Sequence, residues 1–251
     1  NGGYMAALLA KACSLTLGRH PEPMSVTVQY VMPANAGPAR IAVKILREGG
    51  RLSQVTAELI QNEQVCTQIS GVFTNFDKLK GPSHFEGERP TLPLVDDCSQ
   101  VTGANATFRQ RVDARWFPSC ADYWPSGGSS TMANGGWIKM SDGRESDPLA
   151  LLVFADAFPR AVAMRSGRVG WIPTVDMTVQ VMQRPAPGYV AACFSSRKLY
   201  RGVIEERCEL WDSAGDLVAV SRQSAVPRIP AEAADWADDP GELVMKIPEN
   251  Y

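Results

Sequence analysis

The pattern of apolar and polar positions predicts a long apolar helix past the middle of the chain. Residues 149–164 are almost entirely apolar, and the only acid among them is Asp156. A helix that is apolar on most sides is buried, where a carboxylate is costly without partners. Pro159 would remove one amide donor and free the carbonyl of Ala155. Polar groups should therefore collect around Asp156, unless Asp156 instead caps a helix that begins at Ala157.

The segments before this helix predict a second helix and a four-stranded meander. An Ala- and Leu-rich helix over residues 4–17 opens just after two glycines and ends before Gly18. The segments that follow are rich in Val, Ile and Thr and are separated by turn residues. These predicted strands are residues 24–32, 39–47, 52–61 and 65–74.

The order of helix and meander recurs in the second half of the chain. The strands predicted there are residues 107–117 and 136–141 before the central helix, and 173–183, 189–199, 203–212 and 216–226 after it. A shift of 152 positions aligns Pro33 with Pro185 and Gly50 with Gly202. The chain therefore contains an internal repeat.

The repeat predicts an α+β fold of two similar units. An antiparallel sheet with one apolar helix can bury both by curling around that helix, and two such sheets could join edge to edge. Because Asn1 opens directly onto a helix, we also expect a preceding strand that this sequence does not include. The predicted divisions are a first unit at 1–75, a linker at 76–106, a second unit at 107–228 and an acidic C-terminal tail at 229–251.

The amino-acid composition limits the kinds of molecule that this protein is expected to bind. The net charge of −2 and the pI near 5.8 argue against a nucleic-acid surface, and no apolar run is long enough to span a bilayer. The six cysteines form no close pair of the metal-ligand kind. With only His20 and His84, both in Pro-containing loops and expected to be solvated, a histidine metal site is not expected. We expect a cytoplasmic protein without metal or cofactor.

Six short motifs lie in the predicted helices and strands or at their ends. They are Asn1–Tyr4, Tyr30–Pro33 and Arg47–Arg51 in the first unit, and Phe154–Asp156, Pro173–Asp176 and Val220–Gln223 in the second. In these motifs the chain resembles the bacterial acyl-CoA thioesterase II family, whose members have a double hotdog fold, and the resemblance extends over nearly the whole chain to about residue 228. The resemblance implies two antiparallel sheets, each wrapped around a central apolar helix and joined into one continuous sheet.

The resemblance also implies a catalytic set. In that family a helix Asp, a strand-start Thr and a last-strand Gln hold the hydrolytic water, and by motif these are Asp156, Thr174 and Gln223. The repeat supports a functional role, because at the same shift Gln223 falls opposite Gly71 and Thr174 opposite Glu22. Only the second repeat has these polar residues, which predicts one catalytic site per chain.

The chemistry that fits these residues is direct attack of water on a thioester, with Asp156 as the base. Each residue also has a structural interpretation. Asp156 could be a cap, and Gln223 a satisfied buried amide between strand and helix. Asp176 or Thr178, which alternate with Thr174 along the strand, could hold the water in its place.

Substrate contacts are predicted at the start of the first helix. The amides of Gly2 and Gly3 could stabilise the thioester oxyanion, although close helix packing explains the same glycines. Arg160, Arg165 and Arg168 could meet the coenzyme A phosphates or form a solvated helix end.

Rival functions follow from the same fold. Hotdog hydratases and dehydratases generally depend on a catalytic histidine, and neither histidine here is suitably placed. A non-catalytic acyl-CoA or acyl-carrier-protein binding module and a purely structural partner stay open. The expected partner is an acyl-CoA substrate, and the expected assembly is a homo-oligomer, a dimer of double hotdogs.

Overall fold

The computed structural model describes residues 1–101, 106–124, 126–167 and 172–227. Its first half follows the predicted order of one helix and four strands, with ends shifted by no more than two residues. These elements are α1 (Gly2–Thr16), β1 (Glu22–Tyr30), β2 (Arg40–Glu48), β3 (Leu52–Gln61) and β4 (Gln64–Thr74).

The second half adds three strands and several short helices before it repeats the meander. Its first elements are β5 (Ser99–Gln100), α2 (Ala106–Arg109), β6 (Val112–Trp116), α3 (Pro118–Ala121), β7 (Ala133–Met140), α4 (Pro148–Phe154) and α5 (Ala163–Ser166). The meander that follows comprises β8 (Thr174–Val181), β9 (Val190–Ser195), β10 (Leu199–Tyr200), β11 (Val203–Trp211) and β12 (Leu217–Ala225). The strand predicted at 107–117 was wrong at its start, where α2 precedes β6.

The prediction of one continuous helix over residues 149–164 was also wrong. Helix α4 is capped by Asp147, whose side chain accepts a hydrogen bond from the amide of Ala150 at 2.7 Å, and it ends at Phe154. Pro159 has no amide hydrogen and disfavours helical backbone at the residue before it. Asp156 therefore lies in a turn between α4 and α5. It neither sits inside a helix nor caps one that begins at Ala157.

All the strands belong to one antiparallel sheet of twelve strands. The order along it is β2-β3-β4-β1-β8-β12-β11-β9-β7-β6-β5, and β10 pairs with β11. The repeat is visible in this order, because β1, β2, β3 and β4 correspond to β8, β9, β11 and β12. The two halves join where β1 pairs with β8, and the hydroxyl oxygens of Thr27 and Thr178 lie 3.0 Å apart across that seam. The predicted edge-to-edge junction is confirmed.

The core lies between this sheet and the two longer helices, α1 and α4. The side chains of Leu9 in α1 and Leu151 in α4 are fully buried, as is Phe73 on β4. They belong to one hydrophobic cluster that includes residues of both halves. In the described ranges, no helix is long and apolar enough to cross a membrane.

Several further expectations can be compared with the structure. His20 is 2% exposed, and its Nδ1 lies 2.8 Å from the hydroxyl oxygen of Ser53, so the prediction of a solvated His20 was wrong. His84 is exposed, as expected. All six cysteines are free thiols. Arg168 and the predicted acidic tail at 229–251 lie outside the described residues.

Candidate active site

Polar side chains from four parts of the fold meet in the turn after α4. Asp156 and Arg160 come from that turn, Thr174 from the first residue of β8, Glu206 from β11 and Gln223 from β12. A continuous set of hydrogen bonds connects them. The three residues predicted to be catalytic are thus brought together, and Arg160 links the carboxylate to the other two.

The carboxylate of Asp156 is held on both oxygens. It is 7% exposed, and its Oδ2 accepts hydrogen bonds from the amide of Gly3 at 3.0 Å and from the side-chain amide of Asn1 at 3.1 Å. Its Oδ1 accepts from Nη2 of Arg160 at 2.6 Å. The side-chain nitrogen of Asn1 also donates to the backbone carbonyl of Asp156 at 2.8 Å. The first turn of α1, in the first half, therefore fixes an acid of the second half.

Arg160 lies at the centre of the site. Its side chain is 11% exposed, so the expectation of a solvated helix end was wrong for this arginine. Besides Asp156, its Nη2 donates to the hydroxyl oxygen of Thr174 at 2.5 Å, and its Nη1 donates to Oε1 of Glu206 at 3.0 Å. Burial would lower the pKa of Arg160, but the carboxylates of Asp156 and Glu206 outweigh it and raise that pKa. The guanidinium therefore stays charged.

Thr174 faces the site because of an irregularity in strand pairing. The register between β8 and β12 shifts between Ser224 and Ala225, and such a bulge re-aims a side chain. The hydroxyl of Thr174 donates to Oε1 of Gln223 at 3.1 Å. Farther along β8 the alternate residues Met177 and Val179 are fully buried in the core.

The same alternation decides which β8 residue reaches the site. Asp176 and Thr178 alternate with the buried residues of β8 and lie on the opposite face of the sheet. Thr178 contacts the hydroxyl of Thr27 across the seam. Neither Asp176 nor Thr178 joins the hydrogen bonds around Asp156, so Thr174 is the residue of this strand that faces the site.

Glu206 is the residue of the site that the sequence interpretation missed. It is 1% exposed, its Oε2 accepts from the amide of Ala161 at 2.5 Å, and its Oε1 accepts from Nε2 of Gln223 at 2.9 Å. Burial raises the pKa of Glu206, and Arg160 opposes that rise. The sequence did indicate that Glu206 is buried, because it alternates with the apolar residues Ile204 and Cys208 on the face of β11 that packs against the core.

The two glycines at the start of α1 have different surroundings. A Cβ atom on Gly3 would lie 2.6 Å from the carbonyl oxygen of Leu152 and 2.8 Å from that of Val153, so this glycine permits α1 and α4 to pack closely. Its amide is occupied by Asp156. A Cβ on Gly2 would lie 2.9 Å from the hydroxyl oxygen of Tyr30. Gly2 thus borders the site beside a tyrosine of the first half.

A carboxylate, a charged donor and two neutral hydrogen-bonding groups are suited to orienting and deprotonating a water molecule. Asp156 supplies the basic oxygen atoms. Thr174 accepts from Arg160 and donates to Gln223, and it therefore keeps one lone pair. Gln223 keeps one amide hydrogen, because a carboxylamide nitrogen carries two and Glu206 takes one.

Two family models match the chain. The model described as "Acyl-CoA thioesterase N-terminal domain" matches residues 1–74, and that described as "Acyl-CoA thioesterase C-terminal domain" matches residues 88–226. Together they include the start of α1 and every strand that contributes to the site.

Individual proteins are similar to this chain over most of its length. The uncharacterised protein Rv0499 of Mycobacterium tuberculosis is 26% identical, over 92% of this chain and 86% of its own. A structure presented as a thioesterase II candidate of Thermobifida fusca YX has a TM-score of 0.81 at 28% identity, and the match covers 90% of this chain and 85% of that one.

Two further structures show the fold. A hot dog fold protein of unknown function from Alicyclobacillus acidocaldarius has a TM-score of 0.79 at 24% identity, over 91% of this chain and 87% of that one. The acyl-CoA thioesterase II TesB2 of Mycobacterium marinum has a TM-score of 0.71 at 20% identity, and the match covers 92% of this chain and 90% of that one. The predicted double hotdog architecture is confirmed.

Proposed function

This chain belongs to the acyl-CoA thioesterase family, and from that premise we propose that it hydrolyses acyl-CoA thioesters by direct attack of a water molecule held at Asp156, Thr174 and Gln223. The products are a free carboxylic acid and coenzyme A. The observation that carries the residue assignment is the continuous set of hydrogen bonds from the carboxylate of Asp156 through Arg160 to Thr174 and Gln223.

In this mechanism Asp156 is the general base. It takes a proton from the water while the water oxygen forms a bond to the thioester carbonyl carbon, which gives a tetrahedral oxyanion. Collapse of this intermediate re-forms the carbonyl and breaks the carbon–sulfur bond. The proton held by Asp156 then passes to the departing thiolate, and the carboxylate is regenerated.

Thr174 and Gln223 orient the water. The free amide hydrogen of Gln223 can donate to the water oxygen, and the free lone pair of Thr174 can accept one of its hydrogens. The other hydrogen then faces Asp156. Arg160 and Glu206 hold these groups and need not touch the substrate.

The experiment compares the wild-type protein with Asp156→Asn. Release of free thiol is followed with a panel of acyl-CoAs of different chain length. We expect kcat to fall by about 10²- to 10⁴-fold, because a general base contributes about that much to rate. Asp176→Asn, on the other face of β8, is the matched control and should keep wild-type activity.

Two results would contradict the proposal. One is a wild-type protein that hydrolyses none of the acyl-CoAs. The other is an Asp156→Asn protein as active as the wild type. Thermal unfolding of both proteins checks that the substitution has left the fold intact.

A second candidate function is a non-catalytic acyl-CoA or acyl-carrier-protein binding module. The contact that favours it is the 2.6 Å ion pair between Arg160 and Asp156, which occupies one oxygen of the proposed base. Calorimetric titration with a long-chain acyl-CoA distinguishes the two functions. Tight binding without thiol release supports the binding module.

The same proposal includes a homo-oligomer in the cytoplasm. Strands β2 and β5 end the sheet of the described chain, and an open sheet edge is a ready site for pairing with another copy. The six free thiols suit a reducing compartment. Light scattering on the purified protein measures the assembly, and a monomer would contradict this part of the proposal.

A further inference from the structure

The hydroxyl group of Tyr30 is an unexplained polar group beside the candidate site. Tyr30 is the last residue of β1, and within the described chain its buried hydroxyl oxygen has no hydrogen-bond partner. Buried polar groups in native proteins are nearly always paired, and an unpaired one costs stability. Seven buried side-chain atoms of the described residues lack a partner, and the hydroxyl of Tyr30 is the one that lies beside Asp156 at the start of α1. A bound substrate could supply the missing partner.

The hydroxyl of Tyr30 lies close to the carboxylate of Asp156. A Cβ atom on Gly2 would lie 2.9 Å from the hydroxyl oxygen of Tyr30 and 3.0 Å from Oδ2 of Asp156, so both groups approach the same backbone position at the start of α1. A side chain at position 2 would collide with the phenol, which explains the glycine. The unpaired hydroxyl is therefore a neighbour of the proposed base.

The chemistry of thioester hydrolysis requires a donor at this place. Attack of water converts the carbonyl oxygen into an oxyanion, and the carboxylate of Asp156 disfavours a second negative charge nearby. Of the two backbone amides predicted for this role, those of Gly2 and Gly3, the amide of Gly3 already donates to Asp156. Burial raises the pKa of Tyr30 well above its ordinary value, and Asp156 raises it further, so the phenol keeps its proton. A protonated phenol is a good hydrogen-bond donor.

We propose that Tyr30 donates its hydroxyl hydrogen to the carbonyl oxygen of the bound thioester and stabilises the oxyanion that forms there. This inference rests on the proposed hydrolysis and names a further catalytic residue for it. No proton is transferred from Tyr30, and the hydrogen bond strengthens as negative charge develops on the carbonyl oxygen. The substrate thus supplies the partner that the hydroxyl lacks within the chain.

The test is the Tyr30→Phe protein, which loses the hydroxyl and keeps the ring. We expect kcat to fall by about 10²- to 10³-fold, as for removal of one oxyanion donor, with KM within about two-fold of the wild-type value. The thermal midpoint should stay the same or rise, because the variant removes an unpaired buried polar group. The matched control is Tyr200→Phe, at a tyrosine that is 56% exposed. It should leave kcat and KM unchanged.

Two outcomes would overturn the role of Tyr30. The first is a Tyr30→Phe protein with kcat within two-fold of the wild type. The second is a loss of kcat accompanied by a lower thermal midpoint, which would make Tyr30 a packing residue.

The Asp156→Asn protein separates this inference from the proposed function. If Asp156→Asn is inactive and Tyr30→Phe is fully active, only the role of Tyr30 fails. If the wild-type protein hydrolyses no acyl-CoA, the proposed function fails and this inference fails with it.

Discussion

Glu206 determines which way the side chain of Gln223 lies. A carboxylate only accepts hydrogen bonds, so the nitrogen of the Gln223 amide must face Glu206 and its oxygen must face Thr174. The two residues are direct neighbours across β11 and β12. The hydroxyl of Thr174, which accepts from Arg160, then has to donate to Gln223. One buried acid thus sets the direction of every hydrogen bond on this side of the site.

Replacing Glu206 by Gln should disorganise the site without changing its shape. A glutamine at 206 can accept or donate, so the amide of Gln223 is free to turn over, and Arg160 loses one of its two carboxylates. We expect kcat to fall by roughly 10- to 100-fold, as small misplacements of reacting groups do. Steady-state thiol release measures the loss.

The control for this prediction is Glu205→Gln. Glu205 is the preceding residue on β11 and pairs with Arg207 and Arg222. It should retain wild-type kcat. An equal loss in both variants would show that Glu206 contributes only to general stability.

The proximity of three residues in the candidate site was predictable, because short motifs identified them. Asp156, Thr174 and Gln223 were assigned from short motifs, and the structure connects all three through Arg160. Glu206 was missed because no motif covers it, although an acid on an inward strand position was visible in the alternation. The central place of Arg160 could not be predicted, because it depends on how three distant segments meet in space.

At the scale of elements, the close contact between α1 and α4 positions the proposed base. The backbone of α1 approaches the last carbonyls of α4 at Gly3, and from there the amide of Gly3 reaches the carboxylate of Asp156. The distance between the two helices therefore sets the distance between donor and acid.

The substitution Gly3→Ala tests this contact. Its Cβ would lie 2.6 and 2.8 Å from two backbone oxygens of α4, which cannot rotate away as a side chain could. We expect a loss of about 1–3 kcal/mol in the free energy of unfolding, the usual cost of overpacking. Denaturant unfolding measures that loss, and thiol release should also slow.

A matched glycine lies at the other end of the same helix. A Cβ on Gly18 would have no atom within 4 Å, so Gly18→Ala should change stability by less than about 0.5 kcal/mol. Equal effects of the two substitutions would contradict the role assigned to the helix contact.

The elements were mostly predictable from periodicity, with one informative failure. Apolar and polar residues alternate along the strands, and turn residues bound them. These two features predicted where most strands begin and end. The apolar pattern of residues 149–164 continues through Pro159, so hydrophobicity alone predicted one helix. The break reflects the missing amide of proline and the polar partners that gather at Asp156, which the apolar pattern does not represent.

At the scale of the whole molecule, the two halves share one sheet and one core. Strands β1 and β8 pair along the seam, and the hydrophobic cluster contains residues of both halves, such as Val28 and Met177. We therefore expect the chain to unfold in a single cooperative transition.

The distribution of tryptophan allows a direct measurement. No tryptophan precedes Trp116 and five of the six lie within residues 107–228, so tryptophan fluorescence does not report on the first half, whereas far-ultraviolet circular dichroism reports on both halves. The two signals should give the same urea midpoint. An earlier midpoint in one signal would contradict a shared core.

The overall architecture followed from the repeat, because matching segments imply matching units. The sequence analysis placed Gly2 and Gly3 of the first unit near the thioester, but it did not predict that the start of α1 binds Asp156 itself. Asn1 and Gly3 precede Asp156 by more than 150 residues, and nothing in either segment alone indicates the other.

The hydrogen bond between Gly3 and Asp156 also bears on how a duplicated chain can change over generations. One copy keeps the acid and the other keeps the helix start that restrains it, so the two copies are no longer interchangeable. A substitution at the start of α1 changes the surroundings of the acid in the other half, so selection acts on the two segments together although 153 positions separate them.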